Sequence, residues 1–265
     1  MISVICVYND LEIFKKFIVS SLGKQTAKYE LIQIDNTKNE YKSAAEALNI
    51  GAMNAKGDYL MFVHQDIKLC SERWLEYVEQ ELNCTQMIGI VGVAGRSEKY
   101  TKTVSNLKHG NPSKFAGEIR LKSIKEVQTV DECLFIIKKD VFEKYKFDEK
   151  ICKGWHLYAV DLCLTLKKNG YGNYVLPYQV YHLSIGYVKM NRIIIAIKLG
   201  CFPLDYYKNL KDIIKKHKKD YSMIFTTCGN WNTFYPILIQ RTIIIIYGFV
   251  KYVKKFFKTL FIKYY

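Results

Sequence analysis

The sequence predicts an α/β protein built on a Rossmann-type, mostly parallel central sheet with helices on both faces, and three observations carry that prediction. Apolar runs of strand length alternate with helix-period runs from residue 1 to about 95. At 265 residues and 49% hydrophobic, the chain holds enough apolar material for one large core, or for one domain with an appendage. No internal repeat or low-complexity tract interrupts the pattern.

Residues 2–7, ISVICV, form an apolar run rich in β-branched residues and read as the first strand, followed by helical spacing over 11–22. A second apolar run, 31–34, ends in Asp35, Asn36 and Thr37. Residues 43–56 return to a helical pattern, with Ser43 and Glu46 spaced as a capping box. Next, 58–63 reads as a core strand entered through Lys56 and Gly57 and left at His64, Gln65 and Asp66. In open α/β sheets ligands gather at the carboxyl ends of strands, so this polar cluster is where a nucleotide, a metal or both are expected. A helix over 72–82 and a strand over 87–94 complete the alternation.

Between 95 and 130 the chain turns polar and irregular, with His109, Gly110, Asn111 and Pro112 marking a turn; it reads as loops or a β-excursion covering a site. Residues 133–138 regain strand character, 141–146 form a short helix and 174–176 a short strand. The helix over 157–168 closes at Asn169 and Gly170, with Lys167 and Lys168 in the last turn, where the helix dipole favours them.

Two carboxylates stand out. In the helix over 157–168, Leu157, Val160 and Leu164 share one face and Asp161 lies between them, pointing inward. An unpaired buried carboxylate costs on the order of several kcal/mol, so Asp161 is either half of an ion pair or a general base facing a cleft. Asp66 follows a strand, but Ser71 already supplies the cap of the next helix, which leaves Asp66 for another task. Asp and His both ligate Mn²⁺ or Mg²⁺, and His182 follows the strand over 174–176 and Pro177.

Charge and cysteines narrow the setting. From residue 189 to the end there are 15 Lys+Arg against 3 Asp+Glu, and before it 25 against 22, so +12 of the net charge of +15 lies in the last third. An anionic membrane surface or a polyanion suits that third. The eight cysteines include no CxxC pair and read as reduced and cytosolic. The first residues lack the pattern of a secretory signal.

Five pieces in order, ISVICVYND, LIQIDNT, NIGAMNAKGDYLMFVHQD, FDEKICKGWHLYAVDLCLTLKKNGY and YHLSIG, resemble the nucleotide-sugar glycosyltransferases of family 2, and the likeness spans about residues 1–187. The resemblance implies a GT-A fold and an inverting transfer from a nucleoside-diphosphate sugar to a hydroxyl of a glycan or lipid-linked acceptor. It implies that Tyr8 and Asp35 line the base pocket, that His64 and Gln65 approach ribose and diphosphate, and that Asp66 coordinates a divalent metal, Mn²⁺ or Mg²⁺. His182 joins Asp66 as a second ligand, and Asp161 becomes the base. Two departures stand out: the metal motif is His64, Gln65, Asp66 where the family usually carries two or three aspartates, and Val160 precedes Asp161 where Glu is frequent. The WHLYAVD and HQD forms are similar to a branch active in bacterial surface-polysaccharide synthesis.

Residues 188–265 are expected to form a helical extension of that catalytic domain. Phe249, Val250, Tyr252, Val253, Phe256, Phe257, Leu260, Phe261 and Tyr264 recur at helical spacing, with Lys251, Lys254, Lys255 and Lys258 on the other face. Such a basic amphipathic helix is expected to lie in a membrane interface, here the inner face of the cell membrane, with a partner-protein surface as the alternative. The apolar run 236–250 is short for a span and is broken by Gln240 and Arg241. The basic face around 210–219 reads as solvated surface. Two other classes are weighed and set lower: a sugar-nucleotide nucleotidyltransferase would show a Gly-rich phosphate loop after the first strand, where CVYNDLE stands, and a polyanion or nucleic-acid binder would interleave aromatics and lysines on one face.

Overall fold

The computed structural model describes residues 1–84, 87–100, 102–183 and 202–263, the side chains of 248, 251, 252 and 254–263 excepted. At its centre is a seven-stranded sheet in the order β10-β13-β5-β12-β3-β1-β2. Strands β1 (Ile2–Tyr8) and β3 (Tyr59–Val63) are apolar almost throughout and buried, as strands covered on both faces must be. They run parallel to each other and to the half-exposed β2 (Tyr29–Asp35), which brings Tyr8 level with Asp35.

The helical segments follow the expected order. Asp10 caps the first, its Oδ1 accepting from the Ile13 N–H at 3.0 Å, and the segment runs through Leu11–Phe14 (α1), a π-helical turn Lys15–Val19 and Ser20–Leu22 (α2). Ser43 caps α3 (Ala44–Met53) by accepting from the Glu46 N–H at 3.2 Å, and the Glu46 carboxylate answers by accepting from the Lys42 N–H. Helix α4 (Trp74–Cys84) precedes β5 (Ile88–Gly92).

The sheet is mixed where a mostly parallel succession was expected. Strand β12 (Leu134–Lys138) runs antiparallel between β3 and β5, and β10 (Lys125–Val127) antiparallel to β13 (Gly172–Val175). An apolar run carries no mark of its direction, so a strand arriving from residue 134 to separate β3 from β5 is invisible to periodicity. The irregular stretch is the β-excursion of the two alternatives. It forms two small sheets: β11 (Thr129–Val130), β6 (Ala94–Arg96) and β7 (Val104–Ser105), and β4 (Ile67–Leu69), β14 (Val180–His182), β8 (Lys108–His109) and β9 (Lys114–Phe115).

After α5 (Lys139–Tyr145) and α6 (Tyr158–Lys168), the chain continues into α7 (Leu204–His217) and a hairpin, β15 (Met223–Thr226) and β16 (Gly229–Asn232). Tyr206, Leu210, Ile213, Ile224 and Trp231 from these elements are buried in the same hydrophobic cluster as Phe62 and Phe135 of the central sheet. The expected boundary at residue 187 therefore does not separate two cores: α7 and the hairpin are part of the main body. Helix α8 (Ile237–Lys263) packs Ile237 and Ile244 on that cluster and turns Leu238, Ile239, Ile243, Ile246 and Tyr247 outward. Of the expected amphipathic set, Phe249, Val250 and Val253 are described; Lys251, Tyr252, Lys254, Lys255, Phe256, Phe257, Lys258, Leu260, Phe261 and Tyr264 lie outside the described side chains.

Candidate active site

A cleft of about 720 Å³ opens at the carboxyl ends of β1 and β3, lined on one side by Tyr8, Asn36 and His64 to Asp66 and on the other by Trp155 and Tyr158. Its position follows from the topology, because parallel strands leave their last residues and the loops after them on one edge of the sheet.

Strand β3 ends at Val63, and the His64 N–H is held by the Cys133 carbonyl at 2.9 Å, so the turn into β4 presents His64, Gln65 and Asp66 to the cleft. His182 arrives from the far end of the chain: β14 pairs antiparallel with β4, setting His182 level with Ile67, and the Leu183 N–H donates to the Asp66 carbonyl at 3.1 Å. The result is a group of three donors, His64, Asp66 and His182, whose ligand atoms all lie within 4.8 Å of one another. His182 Nε2 is 3.2 Å from Asp66 Oδ1, and the two imidazoles meet edge to face at 5.8 Å. Enclosure, reinforced by the neighbouring His182, pushes the His64 imidazole down to about 4, so its nitrogen is unprotonated and able to ligate at neutral pH. Two imidazoles and a carboxylate fit a divalent ion that accepts nitrogen as well as oxygen.

The other expected residues divide. Tyr8 lines the cleft, stacked on Phe14 at 4.5 Å, and burial followed by the Asp35 hydrogen bond raises its hydroxyl. Asp35 is exposed, its carboxylate lowered chiefly by the Thr37 backbone N–H; its neighbour Asn36 forms the wall. Gln65 lines the cleft and is also bonded to the chain: its Oε1 accepts from the N–H groups of Asn9 and Asp10 at 2.9 and 3.0 Å, and its Nε2 donates to Asn9 Oδ1 at 2.7 Å. It clamps the loop after β1.

Asp161, expected as the base, is not among the residues that line the cleft. It is 2% exposed, with Lys216 Nζ at 2.8 Å from one carboxylate oxygen and His217 Nε2 at 2.8 Å from the other. Lys216 also reaches Asp148 at 2.9 Å. Burial would lower the Lys216 ammonium, but the Asp161 and Asp148 carboxylates outweigh it and hold the group above its ordinary value. The inward carboxylate thus has the ion-pair role, tying α6 to α7. The basic face around 210–219 is solvated as expected at Lys211, Lys215, Lys218 and Lys219, while His217 of the same helix turns inward and is 2% exposed.

One acidic pair escaped the sequence reading. Asp131 and Glu132 immediately precede β12, beside the backbone bond that holds His64. Asp131 accepts from the Cys133 N–H at 3.0 Å and from the Thr227 hydroxyl at 2.5 Å. Burial and the neighbouring Asp131 push the Glu132 carboxyl well above its ordinary range, against the pull of the backbone N–H groups at the start of α6. Its Oε1 is buried with no hydrogen-bond partner among the described residues.

Comparison with known proteins agrees with this architecture. A family model described as a glycosyltransferase-like family matches residues 3–191, well over half of the chain. No curated protein sequence matches. Among solved structures, the mannosyltransferase PcManGT from Pyrobaculum calidifontis, complexed with GDP-Man and Mn²⁺, is similar at a TM-score of 0.55 and 13% identity, over 83% of this chain and 64% of that one. GalNAc-T7 with UDP, GalNAc and Mn²⁺ gives 0.56 and 15%, over 82% and 47%. TarS 1–349 from S. aureus, with UDP-GlcNAc, gives 0.51 and 13%, over 83% and 73%. At such identities the likeness is one of fold, the GT-A type, and the chain spans less than two thirds of the length of the first two.

Proposed function

The chain belongs to the glycosyltransferase-like family, and from that premise we propose that it moves a sugar from a nucleoside-diphosphate donor to an acceptor hydroxyl, with inversion at the anomeric carbon. The observation that carries this reading is the His64, Asp66 and His182 group at the strand ends of a 720 Å³ cleft. Tyr8 and Asn36 offer an aromatic face and an amide to the base of the nucleotide, with Asp35 behind Tyr8. Asp66 and the two histidines hold Mn²⁺ in preference to Mg²⁺, because two nitrogen donors suit Mn²⁺ better than an ion that favours oxygen. When bound, that ion neutralises charge developing on the leaving diphosphate. Similar structures that contain GDP-Man or UDP with Mn²⁺ support a donor of this class.

A single displacement needs one proton acceptor. Asp66 belongs to the metal group, Asp131 is bonded to Thr227 and Cys133, and both Asp161 oxygens are engaged by Lys216 and His217. Glu132, like Asp161, lies behind the cleft lining, but its Oε1 has no partner among the described residues and it sits against the start of α6, whose Tyr158 lines the cleft, so we assign the task to Glu132. Burial raises this carboxyl, which makes its ionised form a stronger proton acceptor.

The acceptor is a glycan or lipid-linked saccharide of a surface polysaccharide, presented at an anionic membrane surface. Support comes from α8: Leu238, Ile239, Ile243, Ile246 and Tyr247 are 53–72% exposed on one side, and no acidic residue follows Asp220 while six Lys+Arg do. No helix among the described residues is long and apolar enough to cross a membrane. The full chain should float with anionic vesicles at low salt and leave them as ionic strength rises; binding that ignores salt and lipid charge would remove the membrane role. The reaction itself is tested by measuring release of UDP, GDP or CMP from a panel of nucleotide sugars with and without Mn²⁺. Release from one donor class that needs the metal supports the proposal, and no release from any donor counts against it.

A further inference from the structure

A second cleft, of about 330 Å³, lies between β6 and the β15–β16 turn, lined by Arg96, Lys102, Thr226, Thr227, Gly229 and Asn230 among others. Its charges do not balance. The Lys102 ammonium is paired with the Glu118 carboxylate. Arg96 is half-buried, and its guanidinium donates to the Tyr100 carbonyl at 3.3 Å and to Asn230 Oδ1 at 3.2 Å, both neutral acceptors. No carboxylate among the described residues pairs with it. A guanidinium carries five N–H donors in a planar fork, and withdrawing it from water without a counter-ion is unfavourable. Burial accordingly lowers the Arg96 guanidinium from its ordinary value. An anion with two coplanar oxygens would match the remaining donors of the fork through paired hydrogen bonds.

The cleft also communicates with the metal group. Thr227 lines it and donates its hydroxyl to Asp131 at 2.5 Å, and Asp131 acts electrostatically on both His64 and His182. The residues that line this cleft are distinct from those that line the donor cleft.

We propose that Arg96, with the β15–β16 turn, is an oxyanion subsite that binds a phosphate or carboxylate group of the acceptor. The acceptor assignment rests on the glycosyltransferase reading; the anion site itself does not.

The test uses the full chain, ¹⁵N-labelled, titrated separately with inorganic phosphate and with acetate while the arginine Nε–H and backbone amide signals are followed. Saturable shifts are expected at Arg96 and at residues 226–230, at least about tenfold weaker in Arg96→Gln and unchanged within about twofold in Asp66→Ala. Stronger phosphate than acetate binding identifies a phosphate-bearing group, and the reverse a carboxylate. Equal titration of parent and Arg96→Gln, or unsaturable shifts spread over surface lysines, would overturn the subsite. If Arg96→Gln fails to fold, the parent map decides alone, and shifts confined to the donor cleft refute the proposal. A parallel titration with UDP or GDP and Mn²⁺ reports on residues 64–66; its failure counts against the donor reading and leaves the phosphate result intact.

Discussion

Among the described residues, two close His–Asp pairs have opposite character. His182 and Asp66 stand 3.2 Å apart, both part-exposed, at the mouth of the large cleft, with a second imidazole beside them. His217 and Asp161 stand 2.8 Å apart between α6 and α7, each side chain 3% exposed, with Lys216 closing the other carboxylate oxygen. The residue types are shared, so they do not distinguish a site from a tie. What differs is compensation and access: the inner carboxylate is engaged on both oxygens by this chain's own Lys216 ammonium and His217 imidazole, whereas the outer group converges its donor atoms on an open volume.

The comparison can be broken by substitution. Asp66→Ala should lower metal-dependent turnover about 10³-fold or more with little change in Tm, because the ion that stabilises the leaving diphosphate loses its carboxylate. An equal loss of fold and activity would place Asp66 with the inner pair. Glu132→Gln should cost about 10² to 10⁴ in turnover if Glu132 is the proton acceptor. The same variant sharpens the sign of its burial. A carboxyl raised above its ordinary 4.5 in the folded chain binds more protons than the unfolded chain, so stability falls as pH rises through that window. The Gln variant, neutral throughout, should therefore gain Tm over the parent at pH 8 and converge with it near pH 4. A lower Tm at pH 8 would show that the carboxylate is stabilising.

Substitutions at the inner pair should act on stability alone. Asp161→Asn leaves Lys216 and His217 without their shared carboxylate and should cost about 3 kcal/mol, discounted little because Asp161 is sealed, while activity per folded molecule is kept. A catalytic loss at unchanged stability, read by denaturant titration beside single-turnover kinetics, would restore Asp161 as the base. The smallest effect is expected for His182→Ala: the Mn²⁺ concentration for half-maximal activity should rise about 10- to 100-fold, since two of the three donors remain. Coincident metal titrations would make His182 structural.

The strand-end part of the outer group, His64 and Asp66, is legible because it is local, whereas His182 reaches it from β14, far along the chain. Asp66 follows a five-residue apolar strand, and an acidic residue beyond such a strand with no helix to cap is a ligand candidate from its neighbours alone. The inner pair was legible only by half. That Asp161 points inward follows from helical spacing, but its partners lie 55 and 56 residues later, in a lysine-rich tract whose composition reads as surface. Glu132 was missed for a related reason: before a strand it looks like a loop boundary, and only the antiparallel insertion of β12 beside β3 carries it to the start of α6. Sequence periodicity reports which face a residue takes and is silent on strand direction and on what arrives from elsewhere.

The central claim is that the outer group, and not the inner pair, holds the metal. Electron paramagnetic resonance of Mn²⁺ titrated into the full chain, with UDP or GDP present, tests it directly by counting free ion. The account predicts one bound Mn²⁺ in the parent, binding abolished in Asp66→Ala and retained in Asp161→Asn. Binding that survives Asp66→Ala, or is lost in a folded Asp161→Asn, would contradict it.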